Sequence, residues 1–291
     1  MVLAITTEQE HLADAVGRFA ARHAPIEKTR ASFDSIAAGE LPPWWEEFTA
    51  HGFHAVHLPE EAGGQGGTLT DLACVIETAA AGLLPGPLLS TATASAVANT
   101  AYESGASLVS DLAAGATAAV VLPEHSEVRA VRDADGWRLT GSTTFALGIF
   151  AAQRILLAAH AEDGTQRWFV LETGRAQRAD FSIEQHHGTD LSTDVGVLNV
   201  VDHAVDASAE VSGINAERAR CIAVALVACA SAGTVRRCAD AATEYIRTRE
   251  QFGRPVGAFQ ALQHKARDPA RQCQTCGRRH LGCDARFRGI R

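Results

Sequence analysis

One helical period runs from Asn215 to Arg249, broken only by Gly233. It constrains the fold more than any other stretch, because a helix that long must lay one face against other helices to be stable. Ile222, Leu226, Ala230 and Gly233 supply a small-residue face suited to close packing on another helix. Asn215 is a suitable N-cap, and Glu217 stands in the first turn, where an acid complements the helix dipole.

The chain before it falls into two regimes. Up to about residue 115 the pattern is helical. Thr6 and Thr7 precede Glu8, Gln9 and Glu10, an N-cap with acids in the first turn, and Leu12, Ala15, Val16 and Phe19 follow at helical spacing. Pro25, Pro42, Pro43 and Pro85 punctuate the helices, and one helix is expected over 68–81. Between them, residues 63–67 hold four glycines, which makes a loop with unusual backbone angles. It is no phosphate loop, for it lacks the following Lys-Ser or Lys-Thr pair. The middle then changes period. Runs at 118–122, 128–132, 137–140, 154–159, 167–171 and 195–201 are rich in Val, Leu and aromatics, with turn signals such as Asp135-Gly136 and Asp163-Gly164 between them. This pattern predicts a small antiparallel β-domain built from hairpins. The fold class is therefore α+β: an N-terminal helical domain (1–115), a middle β-domain (117–205) and a C-terminal helical bundle (210–266), incomplete here.

Residues 267–291 differ from all of this. They carry seven Arg, two acids and three Cys, and no apolar stripe to offset the entropy of ordering. The abrupt change favours an altered reading frame near residue 266 over a genuine basic appendage. Cys273, Cys276, His280 and Cys283 have the ligand types of a zinc site, and a zinc knuckle would imply single-stranded nucleic acid. Accidental Cys and His in a changed frame explain them better, and no metal site is assigned. His186 and His187 belong to a loop, with no third ligand set by spacing.

Composition narrows the function. The 291 residues are 46% hydrophobic and 21% charged, the profile of a globular protein of one large or two to three small domains. A net charge of -8 gives no electrostatic case for nucleic acid or an anionic membrane. There is no uninterrupted apolar run of about 18 residues to span a bilayer. The N-terminus lacks the basic start of a secretion signal, and seven Cys without framework spacing make a reducing cytoplasm the default location.

Chemistry concentrates after the long helix. Arg249 ends it, Phe252-Gly253 breaks it, and Pro255 bends the chain before a helix that starts near Phe259-Gln260. A helix-turn-helix corner of this kind points a guanidinium, an aromatic ring and an amide at one place. The guanidinium suits a pyrophosphate, and the ring suits a planar heterocycle. The plainer alternative is a buried corner Arg bonded to carbonyls.

The order Tyr245, Arg249-Glu250-Gln251-Phe252-Gly253-Arg254-Pro255, Phe259-Gln260 and His264-Lys265 resembles the acyl-CoA dehydrogenase family. Pro59-Glu60-Glu61-Ala62-Gly63-Gly64-Gln65-Gly66 and Trp137-Arg138-Leu139-Thr140-Gly141 resemble further elements of it. The resemblance covers residues 1 to about 266 and is strongest near 245–265. It implies FAD as cofactor, an acyl-CoA substrate, and Arg249, Gln251, Phe252, Phe259 and Gln260 as contacts to FAD, largely that of a neighbouring subunit. It also implies a Glu base. In most members that base lies beyond the corner, further than this chain runs, and in a minority it falls on the long helix at the position of Ala223. Glu217, six residues earlier, faces another way. No catalytic residue is assigned. The segment Leu122-Pro123-Glu124-His125-Ser126-Glu127-Val128 and Thr143 depart from the family's flavin-side pattern. These departures imply a subunit that works in a homo- or hetero-oligomer with a catalytic paralogue. The competing expectations are a non-enzymatic scaffold without flavin and a degraded remnant with a zinc-binding tail.

Overall fold

The computed structural model describes residues 5–174 and 180–263. The basic tail, its zinc expectation, its expected disorder, and His264 and Lys265 lie outside the described residues.

Seven helices come first: α1 (Thr7–His23), α2 (Ile26–Ala31), α3 (Phe33–Ala37), α4 (Trp45–Ala50), α5 (Leu69–Ala81), α6 (Leu88–Ala98) and α7 (Tyr102–Ala113). The starts of α1 and α5 carry capping boxes, Thr6 with Gln9 and Thr68 with Asp71. Gln9 Nε2 donates to Asp71 Oδ1 at 2.9 Å, which joins the two helix starts. The glycine-rich loop folds back on residues 55–58. The Gln65, Gly66 and Gly67 N–H groups donate to the Ala55, Leu58 and Val56 carbonyls. A side chain at Gly64 would overlap the Leu58 carbonyl, so this glycine is required by close approach.

The middle contains β1 (Ala118–Val121), β2 (Arg129–Arg132), β3 (Gly136–Ser142), β4 (Ala146–Leu147), β5 (Arg154–Ala161), β6 (Gln166–Glu172), β7 (Phe181–His186) and β8 (Val195–Asp206). The β2–β3 and β5–β6 hairpins turn at the expected Asp-Gly signals. The sheet is mixed, however, and not antiparallel throughout: β1 and β2 both pair parallel to β5. The reason lies in β5, an almost unbroken apolar strand buried on both faces. Ile155, Leu157 and Ala159 enter the core on the far side of the sheet, while Leu156 and Ala158 enter the helical core. Strands β4 and β7 are additional to those expected.

The long helix α8 (Ala216–Thr248) follows, and Asn215 Oδ1 accepts from the Arg218 N–H as expected of its cap. Its buried stripe is Ala219, Ile222, Leu226, Cys229 and Gly233, with Ala230 half-buried beside it. By length and composition α8 is long and apolar enough to cross a membrane. Its buried stripe, though, joins the same core as α5 and α6. At Gly233 a side chain would overlap the Glu77 carbonyl of α5, and one turn on Arg236 Nη1 meets Glu77 Oε1 at 2.8 Å. After Gly233 no residue of α8 is buried.

The linker into α8 is fastened to the sheet by Glu210. It accepts from Trp137 Nε1 at 3.1 Å and from Arg167 Nη1 at 2.8 Å. The guanidinium groups of Arg132 and Arg167 each lie over the Trp137 ring, 4.9 Å from its centroid.

Two buried histidines sit in the helical core. His54 Nε2 donates to the Ala113 carbonyl, and His57 Nε2 lies 3.2 Å from Ser95 Oγ. Burial lowers both, and with the nearby His54 it takes His57 down to about 3. The unfolded chain therefore binds a proton near pH 6.5 that the folded chain refuses until about 3. Stability should fall as pH drops below 6.5, by up to about 1.4 kcal/mol per unit from His57. Urea midpoints between pH 7.5 and 5 measure this, and His57→Asn should flatten the slope. Gly233→Ala should cost about 2 kcal/mol in the same assay, because α5 and α8 must separate.

Candidate functional site

The corner after α8 is a small hairpin, where the sequence suggested a plain helix-turn-helix. Strands β9 (Glu250–Gln251) and β10 (Arg254–Pro255) pair antiparallel across Phe252 and Gly253. Both turn residues are left-handed, with φ of 54° and 76°. Left-handed backbone at both central positions matches the twist of a two-residue hairpin, but it is costly for a Phe. A short 3-10 turn, Val256–Ala258, leads to a helix that starts at Gln260. The Val256 N–H donates to the Arg249 carbonyl at 2.7 Å and closes the corner.

Of the five predicted residues, Arg249, Gln251, Phe252 and Gln260 are exposed and Phe259 is half-buried. Phe252 is 92% exposed, and its ring meets Phe259 edge-on at 6.3 Å. Gln251 Nε2 donates to the Glu250 carbonyl. The guanidinium that stacks on an aromatic ring is that of Arg254, 4.2 Å from the Phe259 centroid. Nor is Arg249 the buried corner Arg of the plainer alternative. The hairpin projects cations, amides and two rings into solvent at the end of a helix whose last turns are exposed.

The edge of the sheet brings together a second set of groups whose proximity sequence reasoning did not foresee. Phe145 is 64% exposed and touches the His186 ring edge-on at 4.9 Å. Next to it, His125 Nδ1 and Thr144 Oγ1 are 3.1 Å apart. The 122–128 segment therefore lies against 143–145, as an isolated bridge between Ser126 and Thr143 also shows. Thr143 is itself buried, and its hydroxyl accepts the Leu198 N–H. His186 ends β7, and its predicted place in a loop is corrected accordingly. The sequence signal for this edge was a lone Phe beside two threonines at a strand end.

A buried carboxylate fixes the edge. Asp194 accepts from the Phe150 N–H at 2.8 Å and the Ala151 N–H at 3.3 Å, and its carbonyl accepts the Gly148 N–H. Burial raises its pKa, against the pull of those N–H groups. On α8, Ala223 packs half-buried on the helical core, while Glu217 is exposed in the first turn.

A helical body, a mixed sheet and a long helix ending in an exposed cation-and-ring hairpin define a three-part α+β architecture. Comparison with known proteins gives this architecture a family. Residues 6–108 match the acyl-CoA dehydrogenase N-terminal domain, and residues 212–278 match the acyl-CoA dehydrogenase C-terminal domain. Acyl-CoA dehydrogenase IpdE2 of Mycolicibacterium smegmatis is 30% identical over 91% of this chain and 72% of its own. Acyl-CoA dehydrogenase FadE34 of Mycobacterium tuberculosis is also 30% identical over 91% of this chain, which spans only 35% of that longer protein. Among solved structures, a Tcur3481–Tcur3483 steroid ACAD variant superposes with a TM-score of 0.83 at 25% identity, over 96% of this chain and 78% of that one. The chain belongs to the acyl-CoA dehydrogenase family.

Replacing Asp194 by Ala should cost about 2 kcal/mol, since buried N–H groups lose a charged acceptor. Chemical denaturation checks this, and increased amide exchange at residues 148–151 should accompany it.

Proposed function

We propose that this chain is an acyl-CoA dehydrogenase-type flavoprotein subunit that takes part in FAD-dependent α,β-desaturation of an acyl-CoA thioester. The exposed hairpin after α8 carries this reading. Its donors, Arg249, Gln251 and Gln260, suit a pyrophosphate, and Phe252 and Phe259 offer faces or edges to a planar ring. The donor set and the two rings therefore fit FAD. When bound, FAD would supply hydride acceptance, the redox chemistry that side chains lack.

The hairpin faces outward, which favours a flavin shared between subunits. Arg249 and Gln260 of one chain would hold the pyrophosphate end, and the Phe145 edge of another would wall the ring. Asp194 would keep that wall in position, and burial at the subunit contact would exclude water from the thioester. A steroid-type or fatty acyl group is the proposed substrate, the steroid type favoured by the steroid ACAD structure named above. Ala223 cannot abstract a proton, and Glu217 points to solvent at a helix start, where acids ordinarily serve the dipole. Neither position on α8 supplies a base, and we propose that a catalytic paralogue in a cytoplasmic hetero-oligomer supplies the proton-abstracting carboxylate.

The test is co-expression with a neighbouring acyl-CoA dehydrogenase paralogue, followed by flavin content per complex and anaerobic bleaching of the flavin by acyl-CoA. Arg249→Ala should lower flavin retention at least tenfold while leaving the helical content of α8 unchanged, since among the described residues the exposed Arg249 side chain makes no hydrogen bond or ion pair. Flavin content indifferent to Arg249→Ala overturns the reading. A complex that forms without flavin favours a scaffold. Turnover of acyl-CoA by the isolated chain at about 1 per second or faster overturns the need for a partner base.

A further inference from the structure

The N-terminal helices border a cavity of 490 Å³, within the roughly 300–1,000 Å³ of small-molecule sites. Its walls come from residues 23–44 and Pro85, and none comes from α8 or the chain after it. Pro42, Pro43, Pro85 and Trp44 form its apolar side. That side is rigid. Proline rings fix their own backbone, and Pro42 and Pro85 are buried. Gly86, at φ of 110°, lies so close to Pro42 that an added carbon would stand 3.0 Å from its ring. Trp44 meets Phe19 and Phe48 edge-on, with centroids 6.3 and 5.3 Å away.

Two features of the walls point to a ligand with a negative end. The first is charge. Among the described residues no Asp or Glu lines the cavity, in a chain of 34 acids, whereas Lys28 of α2 and His23 at the end of α1 do. The acid beside His23, Glu47, is engaged by His23 at 3.4 Å and by Arg22 at 3.8 Å. The second is an unused donor. Trp44 is only 4% exposed, and its Nε1–H is buried with no hydrogen-bond partner. The neighbouring Trp45 Nε1–H donates to the Gly115 carbonyl at 3.0 Å, as a buried indole ordinarily does. Hydroxyls in the wall are otherwise occupied: Ser32 Oγ donates to the Thr29 carbonyl at 2.8 Å and Ser35 Oγ to the Ser32 carbonyl at 3.0 Å. Thr29 Oγ1 reaches the Ala24 and Leu83 carbonyls only at 3.4 Å. The walls thus supply an apolar surface, a cation and an unspent donor, and the group they lack is an acceptor.

We propose that this cavity is a binding site for a small apolar carboxylate, an aryl or short alkyl acid. Its body lies on Pro42, Pro43, Pro85 and Trp44, and its carboxylate takes the Lys28 ammonium and the Trp44 indole N–H. A neutral molecule of the same shape keeps the proline contacts and forgoes the charge-assisted bonds, and a cation is repelled by Lys28. The site takes no residue from the flavin reading, so the two stand or fall separately.

The test uses the full chain with ¹⁵N-labelled tryptophan indoles, titrated with phenylacetate, with 2-phenylethanol as the neutral and phenethylamine as the cationic control. Trp44→Phe assigns the Trp44 indole signal. Phenylacetate should saturably move that signal downfield and leave those of Trp137 and Trp168 in place. The alcohol should bind about tenfold more weakly, and the amine should not bind. Lys28→Gln, at an exposed position, should weaken phenylacetate about fivefold and leave the thermal transition in place. Should Trp44→Phe fail to fold, Lys28→Gln alone decides. Phenylacetate that moves no indole signal, or moves only those of Trp137 and Trp168, overturns the proposal. Equal affinity for acid and alcohol, or affinity indifferent to Lys28→Gln, overturns it as well.

Discussion

The contact on which the rest of the molecule depends is the approach of two backbones at Gly233. There α8 comes so close to α5 that a single added carbon would strike the Glu77 carbonyl. That closeness lets the Ala219, Ile222, Leu226 and Cys229 stripe sink into the helical body, and Arg236 seals the end of it against Glu77. The same helical core takes in Leu156, Ala158 and Trp168 from one face of the sheet. Helices and sheet are thus parts of one packed unit, with α6, buried along nearly its whole length, between α8 and β1. A helix with no polar face is stable only there, and its serines and threonines are tolerable because each hydroxyl finds a nearby partner. Ser90, Thr93 and Ser95 donate to carbonyls of their own helix or its leading turn, while Thr91 bonds to Ala118 of β1.

Much of this architecture was legible because its causes are local. The caps at Thr6, Thr68 and Asn215 are set by side chains three residues from the N–H groups they satisfy. The Asp-Gly turns fall where two adjacent strands must reverse. What sequence reading missed has distant causes. The parallel pairing of β1 and β2 with β5 depends on which strand is buried on both faces, and no short stretch encodes that. Strand β4 is two residues long, and β7 mixes Phe181 and Ile183 with Ser, Glu and Gln, so neither stands out by composition. The buried pair His54 and His57 is invisible without knowing that Ala113 and Ser95 lie beside them.

The candidate site was legible through its motif more than through its geometry. Gln251 and Phe252 lie on a hairpin that was not foreseen, with Arg249 before it and Phe259 and Gln260 after the turn that follows. Its turn places a Phe in a backbone region that glycine favours, against local preference. Arg254 belongs to the same motif, and its guanidinium stacks on Phe259. Phe145 was missed for a different reason. Its neighbours His125 and His186 come from segments far apart in the chain, joined only by strand register.

The fastening of Glu210 to Trp137 and Arg167 has a mechanical consequence. Helix α8 is held at its root by this carboxylate and along its first half by the stripe that ends at Gly233, while among the described residues the remaining arm buries no side chain. From Gly233 to Thr248 that arm is about 22 Å long. A swing of about 10° about the Gly233 fulcrum would sweep its tip through about 4 Å, more than the length of a hydrogen bond. The aim of the hairpin is therefore set by a joint remote from it. Residues such as Glu210 and Glu77, far from the hairpin, act as the bearings of a lever, and a change at either would be felt mainly at its far end.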